Sequence, residues 1–176
     1  HILQVLPTAD IHKKTVSLDI SVAKAKGGEK VKVELLDEGK VVGTTEQKLA
    51  SKIEMEVPEA VLWSPSSPKL YHLNIELLSQ GQVIDQVKSY FAMREVSIRK
   101  DECGYQRICL NGDPIFQYGT LDQGWWPDGL LTPPSEEAML WDMVQLKNMG
   151  FNTIRKHIKV EPEQYYYYAD SLGLMM

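Results

Sequence analysis

The period of the hydrophobic pattern changes along this chain, and that change constrains the fold more than any single motif. Up to about residue 95, apolar and polar residues alternate with a period of two, in short runs separated by turn residues. Half-buried antiparallel strands carry this pattern. From Pro114 onward, short apolar runs alternate with stretches of helical spacing, the order expected of parallel α/β units.

At least six strands can be read in the first region. Val16-Ser-Leu-Asp-Ile-Ser-Val22 puts Val16, Leu18, Ile20 and Val22 on one face, and Val31-Lys-Val-Glu-Leu35 repeats the pattern. Glu38-Gly39 marks a turn before Val41-Val42, and Ile53-Glu-Met-Glu-Val57 alternates up to Pro58. The longest runs, 70–77 and 82–91, meet at Ser79-Gln-Gly81 as a hairpin. Roughly seven strands in about 100 residues predict an all-β, immunoglobulin-like sandwich over 1–95. Residues 96–113 read as a connector hairpin around an Asp101-Glu-Cys-Gly104 turn.

Residues 114–176 read as the opening βαβα part of a (β/α)8 barrel. Pro114-Ile-Phe-Gln-Tyr-Gly119 is the expected first strand, followed by a helix over 135–149 that Ser135 caps and Gly150 stops. Phe151-Asn-Thr-Ile-Arg-Lys-His157 is the second strand, 162–172 a second helix, and Leu174-Met-Met176 a third strand cut short. A closed barrel needs about 250 residues. About a quarter of one is present, so the residues that complete the chemistry are expected to lie outside it. The open strand edge predicts a homodimer, or disorder, in this region. The first residue is His1, with no leader before it, so an excised or processed start is expected.

Composition excludes several classes. Hydrophobic residues make up 43%, charged residues 24%, and the net charge is -5, which gives no electrostatic case for nucleic acid or an anionic membrane surface. No apolar run approaches the roughly 20 residues of a membrane helix. Cys103 and Cys109 do not form a disulfide framework and, without His or acidic ligands in pattern, do not make a zinc site. No metal or cofactor is expected. The compartment, periplasmic, secreted or cytoplasmic, stays open.

Barrel active sites lie at the C-terminal ends of the strands, which selects two stretches. In the second strand, Thr153, Arg155, His157 and Lys159 share the face that points into the barrel mouth, while Ile154 and Ile158 face the helices. Lys156 falls on the apolar face and does not fit. Arg155 offers a planar fork for a carboxylate or for hydroxyls, and His157 a hydrogen bond or a proton. In the loop after the first strand, Trp125 and Trp126 have flat faces suited to stacking on sugar rings. Asp122 and Asp128 flank them and either accept from hydroxyls or cap their own turns. Glu136, Glu137, Glu161 and Glu163 sit at helix starts, where acids serve the helix dipole. Tyr165 to Tyr168 cover a full helical turn and are read as packing.

Leu62-Trp-Ser-Pro-Ser-Ser-Pro-Lys-Leu-Tyr71, Asn111-Gly-Asp-Pro-Ile-Phe116 and Met149-Gly-Phe-Asn-Thr-Ile-Arg155 together resemble glycoside hydrolase family 2, the β-galactosidase, β-mannosidase and β-glucuronidase group. The resemblance implies a sugar-binding jelly roll, an immunoglobulin-like sandwich and a catalytic barrel in series, of which this chain holds the middle module and the start of the third. It implies retaining hydrolysis of β-linked sugars by two glutamates about 5–5.5 Å apart, both on later strands, so that the chain itself is inactive. Arg155 matches the family's arginine in the pattern Asn152-x-x-Arg155. His157 falls two residues after it, where the β-galactosidases have histidine three after, and the loop 122–126 lacks their histidine-rich pattern, so galactose specificity is not supported. The substrate wall on this reading is Arg155, His157, Asp122, Trp125 and Trp126, and the partner is a carbohydrate. The alternative is a non-catalytic carbohydrate-binding or structural scaffold module.

Overall fold

The computed structural model describes residues 1–50 and 52–176. The chain divides into two compact units, His1–Leu62 with Lys69–Glu95, and Trp63–Pro68 with Val96–Met176.

The first unit holds seven strands: β1 (Ile2–Asp10), β2 (Thr15–Val22), β3 (Lys30–Asp37), β4 (Lys40–Lys48), β5 (Lys52–Glu56), β6 (Tyr71–Ser79) and β7 (Gln82–Phe91). They form two antiparallel sheets, ordered β1-β2-β5 and β4-β3-β6-β7. Strand alternation sends Val16, Leu18, Ile20, Ile53 and Met55 from one sheet, and Val31, Val33, Leu35, Leu73, Ile75 and Leu77 from the other, into one shared core. This is an immunoglobulin-like sandwich. Tyr71, buried at the start of β6, accepts a hydrogen bond on its hydroxyl from the Val61 amide at 2.9 Å and stacks on Phe91 at 5.4 Å. A tyrosine that ties the start of this strand to upstream backbone is a hallmark of such sandwiches. The turns at Glu38-Gly39 and Gln80-Gly81 have φ of 47° and 79°, and 51° and 80°; two consecutive left-handed residues give the twist that a two-residue hairpin needs.

In the second unit, β8 (Val96–Lys100), β9 (Gln106–Leu110) and β10 (Asp113–Pro114) form an antiparallel sheet. Asp101 closes the β8–β9 turn: its Oδ1 accepts from the amides of Cys103 and Tyr105, and Oδ2 from Arg107 Nε. Cys103 and Cys109 are both free thiols.

The rest of this unit is parallel. Strand β11 (Gly119–Asp122) pairs with β12 (Thr153–Lys156), helix α1 (Glu136–Asn148) lies between them in sequence, and helix α2 (Glu163–Leu172) follows. A further parallel bridge joins Thr153 to Met175. Met139, Met143, Ile154, Tyr165, Ala169 and Leu174 form the core. Ser135 caps α1 by accepting from the Ala138 amide, and Gly150 follows it at φ 88°.

The first parallel strand starts at Gly119, not at Pro114, and that expectation is corrected. Pro114 belongs to the β9–β10 pairing, and 115–118 is irregular. Asn152 decides the register: its Nδ2 donates to Phe116 O at 2.9 Å and its Oδ1 accepts from the Tyr118 amide at 2.8 Å. Those side-chain bonds replace a ladder there, while Gly119 comes so close that a Cβ would sit 2.1 Å from Thr153 O.

The Trp63–Pro68 segment packs into this second unit. Trp63 is buried and its indole N–H donates to Asp170 O at 2.7 Å, while Asn111 Nδ2 donates to Trp63 O at 2.9 Å. Lys147 donates to Pro65 O at 2.5 Å and to Gly173 O at 2.8 Å, and burial pushes its pKa down.

Candidate functional site at the strand ends

The β11–β12 register, Gly119↔Thr153 through Asp122↔Lys156, sorts the side chains into two faces. Thr120, Asp122, Ile154 and Lys156 lie on the helix side. Leu121, Arg155 and, one residue beyond the strand, His157 lie on the other. Leu121 and Arg155 are exposed and His157 half-buried. Arg155 Nη1 stands 3.4 Å from His157 Nδ1, and the His157 amide extends the ladder to Asp122 O at 2.9 Å. The pattern of short polar-tipped strand therefore brings Arg155 and His157 together on an open face.

On the helix side, Lys156 is 9% exposed and central to an ionic network that sequence reasoning did not find. Its ammonium lies 2.6 Å from Asp122 Oδ2, pairs with Glu161, and stands 4.5 Å from the Tyr165 ring centre. Asp122 also accepts from Tyr165 OH at 2.8 Å and, through Oδ1, from the Gly124 amide at 2.6 Å. Burial pushes the Asp122 pKa up, but donation by Lys156, Tyr165 and Gly124 outweighs it and holds the carboxyl below its ordinary range. The Tyr165 phenol is pushed well above its ordinary value, first by burial and then by Asp122. Glu161 is a buried acid paired with both Lys156 and Lys159, rather than a simple helix-start charge. The Tyr run serves the same fabric: Tyr166 OH accepts from the Glu161 amide at 3.2 Å, and Tyr168 bonds Glu136.

Trp125 and Trp126 occupy the loop after β11, with a two-bond turn between Trp126 and Leu130 (2.7 and 3.1 Å). Both line a cleft of about 340 Å³, together with Asp122, Leu121, Trp141 and Met149. Trp125 is exposed and Trp126 half-buried. The expected residues thus fall into two groups: Arg155 and His157 on the open face, and Asp122, Trp125 and Trp126 on the cleft. Two details of the expected alternation are corrected. Ile158 does not face the helices, since it is exposed, and Lys159 turns away from the Arg155 face to meet Glu161; the strand ends at Lys156, so the period of two no longer applies. The clue in the sequence was Lys156 itself, a charge on an apolar face that demanded a buried acid. Among the described residues no group of three or more His, Cys, Asp or Glu could hold a metal ion.

The chain thus carries an immunoglobulin-like sandwich and a second unit in which two parallel strands alternate with helices and bear polar side chains at their ends. Comparison sharpens this. Residues 1–94 match the model of the family described as glycosyl hydrolases family 2, and the chain belongs to that family. A putative β-glucuronidase of Formosa agariphila is 34% identical over 175 residues, 97% of this chain and 16% of its own length. An exo-β-D-glucosaminidase of Amycolatopsis orientalis is 30% identical over 105 residues, 60% of this chain and 10% of its length. The solved apo structure of Bacteroides uniformis β-glucuronidase 3 superposes with a TM-score of 0.80 at 25% identity, over 99% of this chain and 22% of that one. The chain therefore spans less than a quarter of the length of each of these relatives.

Proposed function

We propose that the chain supplies the immunoglobulin-like module (1–95), a linking hairpin (96–113) and the opening strands and helices (114–176) of a (β/α)8 catalytic barrel, in a glycosidase that hydrolyses β-linked sugars with retention. The observation that carries this reading is the open face at the C-terminal ends of two parallel strands, where Arg155 and His157 stand together; barrels assemble active sites at that end. Arg155 holds a carboxylate or sugar hydroxyls through its fork, and His157 donates a hydrogen bond beside it. Trp125 presents a ring face to the saccharide, with Trp126 behind it. Asp122 serves the wall by fixing the loop at Gly124. The acid/base and nucleophile glutamates come from later strands, about 5–5.5 Å apart, so these 176 residues alone show no turnover. Relatives named for glucuronides, galactosides and glucosaminides leave the sugar to residues beyond those shared.

Two measurements test the reading. In the whole protein, Arg155→Ala is expected to lower kcat/KM on aryl β-glycosides by roughly 100-fold; an unchanged value removes Arg155 from the site. Turnover by the 176-residue chain would refute its dependence on later strands. That chain in isolation is also proposed to self-associate through the edge of β11, which has no strand partner among the described residues, giving a dimer mass by light scattering.

A further inference from the structure

The segment after β12 is inverted relative to ordinary burial. Ile158 and Val160 are 82% and 85% exposed, while the side chains of Lys159 and Glu161 are only 12% and 3% exposed. Ile158 also holds φ at 52°, a conformation that a β-branched residue adopts only where its surroundings impose it. What draws the chain this way is the Lys159 ammonium. It pairs with Glu161 Oε1 at 3.0 Å, donates to Gly124 O at 3.2 Å, and donates to Leu131 O. Three N–H donors meet three acceptors.

The two carbonyls lie on opposite legs of one loop. Gly124 immediately precedes Trp125, and Leu131 immediately follows the 126–130 turn. One cation thus clasps both ends of the tryptophan loop. Gly124 fits this arrangement because any side chain there would meet Lys159 Cδ and Nζ at 2.7 Å. Glu161, whose Oε1 is shared between Lys159 and Lys156, fixes the clasp to the end of β12.

We propose that Lys159 is a positioning residue: by clasping Gly124 O and Leu131 O, with Glu161 as its anchor, it sets how Trp125 is presented to the ring of a β-linked saccharide. The saccharide contact rests on the reading of Trp125 given above, whereas the clasp stands on geometry alone.

The test is made in the whole protein with Lys159→Met, Lys159→Gln and, as reference, Trp125→Ala. In protein labelled with 5-fluorotryptophan, signals for Trp125, Trp126 and buried Trp63 are assigned by Trp→Phe substitution. Lys159→Met is expected to move or broaden the Trp125 and Trp126 signals and leave Trp63 in place. It is also expected to raise KM for a β-linked disaccharide about tenfold, with kcat within about twofold. If Trp63 shifts too, the fold is disturbed, and Lys159→Gln, which fills similar space and keeps an N–H donor, is read instead with the same expectation. Unmoved Trp125 and Trp126 signals overturn the clasp. If Trp125→Ala raises KM and the Lys159 variants do not, positioning by Lys159 is overturned while the saccharide reading stands. If Trp125→Ala itself leaves KM unchanged, the saccharide contact fails, and the fluorine signals alone decide the clasp.

Discussion

Replacing Lys156 by Met tests whether the ionic network holds the strand ends together. The Lys156–Asp122 contact of 2.6 Å corresponds to roughly 6 kcal/mol of gross attraction at an effective dielectric of about 20. Much of that is offset by desolvating a lysine that is 9% exposed and an aspartate that is 31% exposed. Removing one partner is the costly direction, about 3–5 kcal/mol, because the other charge stays buried. Glu161 keeps Lys159, and Asp122 keeps the Tyr165 hydroxyl and Gly124 amide, so the loss is expected near 3 kcal/mol at neutral pH. The pH dependence has a definite sign. In the native network the Asp122 pKa is lowered, so its stabilisation is full above the unfolded value near 4 and is lost as pH falls through the folded one. Without Lys156 one of the groups that lowers that pKa is gone, so it lies higher than in the native network and the penalty shrinks on acidification. Hydrogen exchange at the amides of Ile154, Arg155 and His157 measures this within the unit concerned, which matters because a chain of two units need not unfold in one step. A penalty under about 0.5 kcal/mol at pH 7, or one that grows on acidification, would refute the reasoning. So would a Lys156→Met/Asp122→Leu double variant no more stable than the single one.

Three further outcomes follow from the packing. Gly173→Ala places a Cβ 2.4 Å from Pro65 O at a residue with φ 76°; a cost of at least about 2 kcal/mol is expected, seen as lost exchange protection at Leu174 and in the 163–172 helix. Trp63→Phe removes the 2.7 Å bond to Asp170 O and is expected to cost about 1–3 kcal/mol, with the amides of α2 exchanging faster and those of β3 unchanged. Leu73→Ala, in a fully buried position of the sandwich, is expected to cost about 2–5 kcal/mol in a urea titration followed by amide exchange in β3 and β6.

What the sequence makes legible depends on whether the force that shapes a segment is local. Val16, Leu18 and Ile20 alternate cleanly because one face of β2 is buried and the other is not, and the Glu38-Gly39 and Gln80-Gly81 turns carry their own signals. Strand β1 escapes the pattern because Pro7 interrupts it and Leu3 and Leu6 are exposed; its pairing is dictated by β2. The late start of β11 is set by Asn152, more than thirty positions away. In the candidate site, Arg155 and His157 are legible from alternation and position. The network is not, since Asp122, Lys156, Glu161 and Tyr165 come from four segments, and the misplaced charge of Lys156 signals a buried acid without saying which one.

The motifs that tie this chain to its family also differ in what they constrain. Asn111 reaches Trp63 O, Trp63 reaches the end of α2, Lys147 joins Pro65 to Gly173, and Asn152 sets the start of β11. The Trp-Ser-Pro segment, the Asn-Gly turn and the asparagine of Asn152-x-x-Arg155 are therefore bound into the second unit as one hydrogen-bonded assembly. The bonds that join them run between side chains and backbone groups within that unit. Their co-occurrence in this chain therefore has an explanation in folding alone. Arg155 is the exception among the motif residues: it is exposed, and its Nη1 stands beside His157 Nδ1. On the proposed reading, discrimination between sugars therefore rests on side chains left open, Arg155 on its face and Trp125 on the loop that Lys159 clasps, rather than on residues committed to the fold.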